Sequence, residues 1–121
     1  MARMPRLFVE GCAQHIIQRG NNRSVCFFCD ADYAFYLQKL KDAARKNNVK
    51  IHAFVLMTNH VHLLVSGKNK HDIPNMMQSL GRSFVRYINI IYQRTGTLWE
   101  GRYKSSIVST SRYFLAVSRY I

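Results

Sequence analysis

Acidic residues are scarce in this chain. Against 18 Lys and Arg it has 6 Asp and Glu, for a formal charge of +12. Those six, Glu10, Asp30, Asp32, Asp42, Asp72 and Glu100, show no spacing that suggests a paired acid–base site or a carboxylate metal cage. Cysteine is scarce and odd in number, at 3, which argues against a secreted disulfide framework. No apolar run approaches the length needed to cross a bilayer. The opening Met1-Ala2-Arg3-Met4-Pro5-Arg6 leads into no apolar signal region, so secretion is not indicated and a cytoplasmic location is expected. A Gly-rich phosphate cradle and a Gly-x-Ser-x-Gly elbow are also missing.

What is present is a basic chain of 121 residues, 48% hydrophobic, enough for one core and one domain over residues 1–121. Its charge favours a polyanion, nucleic acid before lipid. Beyond Asp72 the only carboxylate is Glu100, against Arg82, Arg86, Arg94, Arg102, Lys104, Arg112 and Arg119. That half presents a nearly pure positive surface. Cys12-x2-His15 with Cys26-x2-Cys29 makes a set zinc can use, but Phe27-Phe28 between the last two favours ordinary buried thiols.

The pattern predicts a strand from Cys12 to Arg19, broken at Gly20-Asn21-Asn22. Tyr33, Tyr36, Leu37, Leu40, Ala43 and Ala44 recur at helical steps, with Asp30 or Asp32 as cap and Asn47-Asn48 as stop. Strands at Ile51–Met57 and His60–Ser66 form a hairpin around Thr58-Asn59. A second helix starts at an Asp72 cap, tolerates Pro74 in its first turn, and buries Ile73, Met76, Met77, Leu80, Phe84, Tyr87 and Ile91. A strand from Lys104 to Ser109 and a further helix from near Arg112 complete the order. The first six elements match an α+β, ferredoxin-like split βαβ sandwich: an antiparallel sheet with two helices on one face, the other face left open.

The sharpest local feature is His60-Val61-His62. Strand alternation puts both imidazoles on the open side and Val61 and Leu63 under the helices. Their Cα atoms are about 6.5–7 Å apart, a gap two side chains can close onto one ion. Polar residues on an exposed face remain the alternative. Two imidazoles leave a shell incomplete; Mn²⁺ accepts them more readily than Mg²⁺, and phosphate oxygens and water could fill the rest.

His60-Val61-His62-Leu63-Leu64 resembles the histidine-hydrophobic-histidine (HUH) motif of single-tyrosine transposases, the IS200-like family, including those associated with repeated extragenic palindromes. Further segments resemble the family in the same order. They are His15-Ile16-Ile17-Gln18-Arg19-Gly20-Asn21-Asn22-Arg23, Phe54-Val55-Leu56-Met57-Thr58-Asn59, Gly96-Thr97-Leu98-Trp99-Glu100-Gly101-Arg102-Tyr103 and Ser118-Arg119-Tyr120-Ile121. The resemblance implies an HUH endonuclease and strand transferase acting on single-stranded DNA near a hairpin. His60 and His62 would hold Mg²⁺ or Mn²⁺, and Tyr120 would attack the phosphodiester to leave a 5′-phosphotyrosine. It also implies a nucleoid-associated protein, as a monomer or a homodimer. The family's third metal ligand falls about one turn beyond the tyrosine, at position 124, whereas this sequence stops at Ile121; a C-terminally shortened helix region is therefore expected. Read without the family, Tyr120 with Tyr113 and Val117 is equally a packing stripe.

For DNA, the chemistry singles out Arg19, Asn21 and Arg23 around the first turn, Arg82 and Arg86 one turn apart on the second helix, Arg102 and Lys104 near the last strand, and Arg119 beside Tyr120. Trp99 reads either as a base-stacking platform or as a core seal. His15 reads as structural, DNA-contacting or supporting the histidine pair, and Glu100 as an ion-pair partner for Arg102 or Arg119. A ferredoxin-like nucleic-acid-binding module without chemistry is the rival function. A replication initiator or relaxase of the wider HUH group fits the ordered motifs less well.

Overall fold

The computed structural model describes residues 8–108. The elements are β1 (Ala13–Arg19), a 3₁₀ turn (Asn21–Arg23), α1 (Asp30–Lys46), β2 (Lys50–Leu56), β3 (His60–Ser66), α2 (Asp72–Ile91) and β4 (Lys104–Val108). The strands form one antiparallel sheet in the order β2-β3-β1-β4. β3 is thus inserted between β1 and β2, the split βαβ arrangement expected from the element order. The helix expected from near Arg112, with Tyr113, Arg119 and Tyr120, lies outside the described residues.

Alternation along β3 divides the molecule. Val61, Leu63 and Val65 join Ile16 of β1 in a core with Tyr36 and Leu40 of α1 and Ile73, Leu80 and Phe84 of α2. Both helices therefore cover one sheet face. His60, His62 and Leu64 point to the other, where Leu64 meets Ala13 and Val108 in a small separate cluster.

Three local expectations change. The buried stripe of α2 ends on Ile88, while Ile91 is 55% exposed and Tyr87 half-buried. Position 91 lies on the same angular face as Leu80 and Phe84, but it is the last residue of α2 and stands beyond the end of the buried stripe. The α1 cap is Cys29, not an aspartate. Asp72 is the first residue of α2 and is preceded by His71; its carboxylate turns back to accept the N–H groups of Lys68 and Asn69, both at 2.9 Å. It organises the loop rather than capping the helix.

Asp32 has a larger task. Buried in the first turn of α1, it accepts the Phe28 N–H at 2.8 Å, the Tyr87 hydroxyl at 2.9 Å and the Tyr92 hydroxyl at 2.6 Å. One carboxylate so ties the start of α1 to the end of α2. Burial alone raises its pKa, but the bonds from Tyr92, Phe28, Tyr87 and Cys29 outweigh it and hold the carboxyl below its ordinary value. Its stabilisation is therefore complete above the unfolded Asp pKa of about 3.9 and is lost as pH falls through the lower folded value. Asp32→Ala is expected to cost about 2–4 kcal/mol at neutral pH, with the gap from wild type closing in acid, as read by urea unfolding across pH. A gap independent of pH would remove the ionised carboxylate from the explanation.

Candidate functional site

The β2–β3 turn is fastened from outside the hairpin. Gly20 donates its N–H to the Asn59 carbonyl at 2.8 Å, and the N–H groups of Cys26 and Phe27 reach the Thr58 carbonyl at 2.7 and 3.2 Å. Only glycine fits at position 20. A Cβ there would lie 2.3 Å from the Ser24 carbonyl oxygen and 2.7 Å from the Cys26 sulfur, so a larger residue must push the chain off the turn. Asn59 then positions the residue after it, its Oδ1 lying 2.8 Å from His60 Nδ1. A carbonyl-type oxygen accepts only from N–H, which puts the His60 proton on Nδ1 and the ring lone pair on Nε2.

His62 is 8% exposed and has a partner on β1: His15 Nε2 is 3.1 Å from His62 Nδ1, the rings 5.3 Å apart and inclined by 24°. The His60 and His62 rings are 5.1 Å apart at 75°. Burial, then His15, His60 and Arg19, hold the His62 pKa below its ordinary value, and burial does the same for His15. Neutral imidazole is the form that ligates a metal. Three histidines thus converge on the open sheet face, the first reaching the others because β1 lies beside β3.

Among the described residues, no set of three or more His, Cys, Asp or Glu side chains is arranged to hold an ion. The Cys12, His15, Cys26 and Cys29 set is accordingly not assembled. Burial pushes the Cys26 thiol up to about 11, against a smaller opposing pull from Arg94, and Cys29 is exposed beside the Tyr92 hydroxyl. Cys26 therefore behaves as a thiol rather than a thiolate ligand.

Six of the expected DNA-contacting residues divide between two cavities, Arg19, Arg102 and Lys104 in one and Arg82, Arg86 and Trp99 in the other. Arg19 stands opposite His60 in the sheet register, and Ile17 stands between His62 and Lys104. Beside them, a cavity of about 290 Å³ is lined by Ile17, Arg19, Glu100, Gly101, Arg102 and Lys104. Three of the expected cations therefore gather next to the histidine pair. Arg82 and Arg86 line a different cleft, on the helix side of the sheet.

Asn21 is engaged by the 97–98 segment: its N–H meets the Leu98 carbonyl at 2.9 Å and its amide the Thr97 hydroxyl at 3.4 Å. Arg23 is exposed, at φ 58. Trp99 is 8% exposed and packs 6.1 Å from Phe84, so of its two readings the structure favours the core seal. Arg119 and Tyr120 lie outside the described residues.

A model of the IS200-like transposases matches residues 8–121. The chain belongs to that family. Among solved structures, this transposase-family chain is similar to a REP-associated tyrosine transposase bound to a REP hairpin. The TM-score is 0.82 at 15% identity, covering 100% of this chain and 70% of that one. It is also similar to a candidate transposase from Deinococcus radiodurans, with TM-score 0.65 at 20% identity, over 98% of this chain and 95% of the other. At these identities the likeness concerns the fold. No curated protein matches the chain.

Two contributors to the transposase-family site carried little signal in sequence. Asn59 closes one of the segments that resemble the family, and His15 opens another with support of the histidine pair as one of its three readings, but no local pattern shows the contact either makes. Both matter through contacts that the sheet register and the hairpin turn create.

Proposed function

We propose that this chain is a metal-assisted, single-stranded DNA endonuclease and strand transferase that cuts near a hairpin and uses Tyr120 as its nucleophile. The observation that carries the reading is the presentation of His60 and His62 together on the open sheet face, each Nδ1 engaged by a neighbour, beside a cavity bearing Arg19, Arg102 and Lys104. Family membership supports transposition chemistry, and the hairpin in the similar solved structure supports a hairpin-bearing DNA partner here.

The donor set fits Mg²⁺ or Mn²⁺ in part. His60 and His62 would ligate through Nε2, with oxygens from phosphate and water completing the shell. A divalent ion so held supplies Lewis acidity at the scissile phosphate. The chain's own residues do the rest. Arg19, Arg102 and Lys104 neutralise and orient the backbone phosphates, while Asn59 and His15 keep the two imidazoles in the ligating tautomer. The Tyr120 oxygen, losing its proton, forms a bond to phosphorus as the bond to the 3′ oxygen breaks. The products are a 5′-phosphotyrosine and a protonated 3′-hydroxyl, and the reverse attack rejoins DNA.

The test is incubation with hairpin-bearing single-stranded DNA and Mn²⁺, scored for a denaturation-resistant protein–DNA adduct. Adduct with Mn²⁺ and none with chelator is expected. Equal DNA binding in both with no adduct in either would leave a binding module.

His15 offers a separate check. His15→Ala is expected to weaken Mn²⁺ binding about 10–100-fold by calorimetry, the usual effect of losing a side chain that holds a ligating imidazole. Affinity equal to wild type would take His15 out of the site.

A further inference from the structure

Resting on the nuclease reading above, we infer that the cleft between α2 and the 96–101 segment seats an unpaired nucleotide of the bound DNA, away from the histidine pair. The cleft measures about 580 Å³, within the range of small-molecule sites and too small for a duplex. Its lining combines two guanidinium groups, Arg82 and Arg86, with an apolar wall including Val85, Leu98 and Trp99, and Gln18 from β1. No carboxylate lines it. Arg82 and Arg86 stand one turn apart on α2, both exposed, where like charges repel unless an anion lies between them. A phosphate satisfies both arginines, and a base face suits the apolar wall as it does in other single-strand binders.

The route into the cleft is the second part of the argument. The alternation of β1 sends Ile17 and Arg19 to the histidine side and Gln18 to the helix side, so one strand end serves both cavities. The two cavities also share Gly101. That residue sits at φ +60, with nothing within 4 Å of the place a Cβ would occupy. A single strand leaving Arg102 and Lys104 therefore crosses bare backbone to reach Arg82 and Arg86. Trp99, the chain's single tryptophan, lies in the cleft wall with its indole N–H buried and unpartnered among the described residues. It is a built-in reporter of occupancy.

The experiment compares a blunt DNA hairpin with the same hairpin carrying an oligothymidylate extension, placed on either end in turn. Binding is read by anisotropy and Trp99 emission, with the full 121-residue chain. Wild type is expected to bind one extended form about tenfold or more tightly than the blunt hairpin, with a change in Trp99 emission that follows the extension. Arg82→Gln combined with Arg86→Gln should abolish both the preference and the emission change. It should also reduce the salt slope on the extended DNA by about 0.7, for one phosphate contact to a single strand. Both substituted residues are exposed, so the unfolding midpoint reports whether the variant is folded. A blunt hairpin that binds while extensions add nothing, or a preference that survives the double substitution, overturns the cleft assignment alone. Absence of hairpin binding altogether overturns the nuclease reading and this inference with it.

Discussion

Replacing either His60 or His62 with Ala is expected to cut Mn²⁺-dependent cleavage of hairpin-bearing single-stranded DNA by roughly a thousandfold or more. An ion acting on a phosphoryl oxygen contributes several kcal/mol to the barrier, and each 1.36 kcal/mol is about a factor of ten. Among the described residues these two imidazoles have no companion ligand set, so losing one halves what the described chain can offer the ion. The fold should tolerate both changes. The histidines face away from the core formed by Val61, Leu63 and Val65, so truncation opens no cavity beneath the helices. His62→Ala also releases His15 from its 3.1 Å contact, whereas His60→Ala releases the Asn59 amide. DNA affinity measured in chelator and the unfolding midpoint should stay near wild type. Cleavage at the wild-type rate in either variant would strike out the metal assignment.

Tyr120→Phe is expected to eliminate the covalent adduct while preserving DNA affinity within about twofold. The substitution removes one oxygen and keeps the ring, so any packing contribution of the side chain survives. A phenol with a reference pKa of about 10 is a weak nucleophile at neutral pH, and its attack depends on nearby positive charge. Under the proposed reading, that field would come from Arg119, directly before it in sequence, and from the cations of the β1–β4 cavity. Tyr113 is the control, because it shares the stripe read for the last helix. Tyr113→Phe should leave the adduct intact. An adduct retained by Tyr120→Phe and lost by Tyr113→Phe would transfer the role.

How much of this was legible beforehand depends on the range of the interaction. Strand and helix positions came from local periodicity, and most boundaries agree within one residue. Errors arose where a side chain answers to something distant. Asp30 or Asp32 is the cap that the local pattern predicts for α1, yet the partners of Asp32, Tyr87 and Tyr92, are on and just after α2. Trp99 could be read two ways because nothing local distinguishes a base platform from a core residue. Its packing on Phe84 is a contact across the fold. Arg82 and Arg86 were grouped with Arg19 and Arg102 by charge, but the sheet separates the pairs into two cavities that meet at Gly101.

The sequence by itself determined the basic character, the βαββαβ order, the side of β3 on which His60 and His62 emerge, and the family, since these follow from composition, short periodicities and ordered motifs. Only the tertiary structure decided that His15 lies against His62, that Gly20 clamps the Asn59-His60 turn, and that the basic residues serve two cavities. Each of these depends on which strand lies beside which and in what register, and that is set by packing the whole sheet against both helices rather than by any run of neighbouring residues.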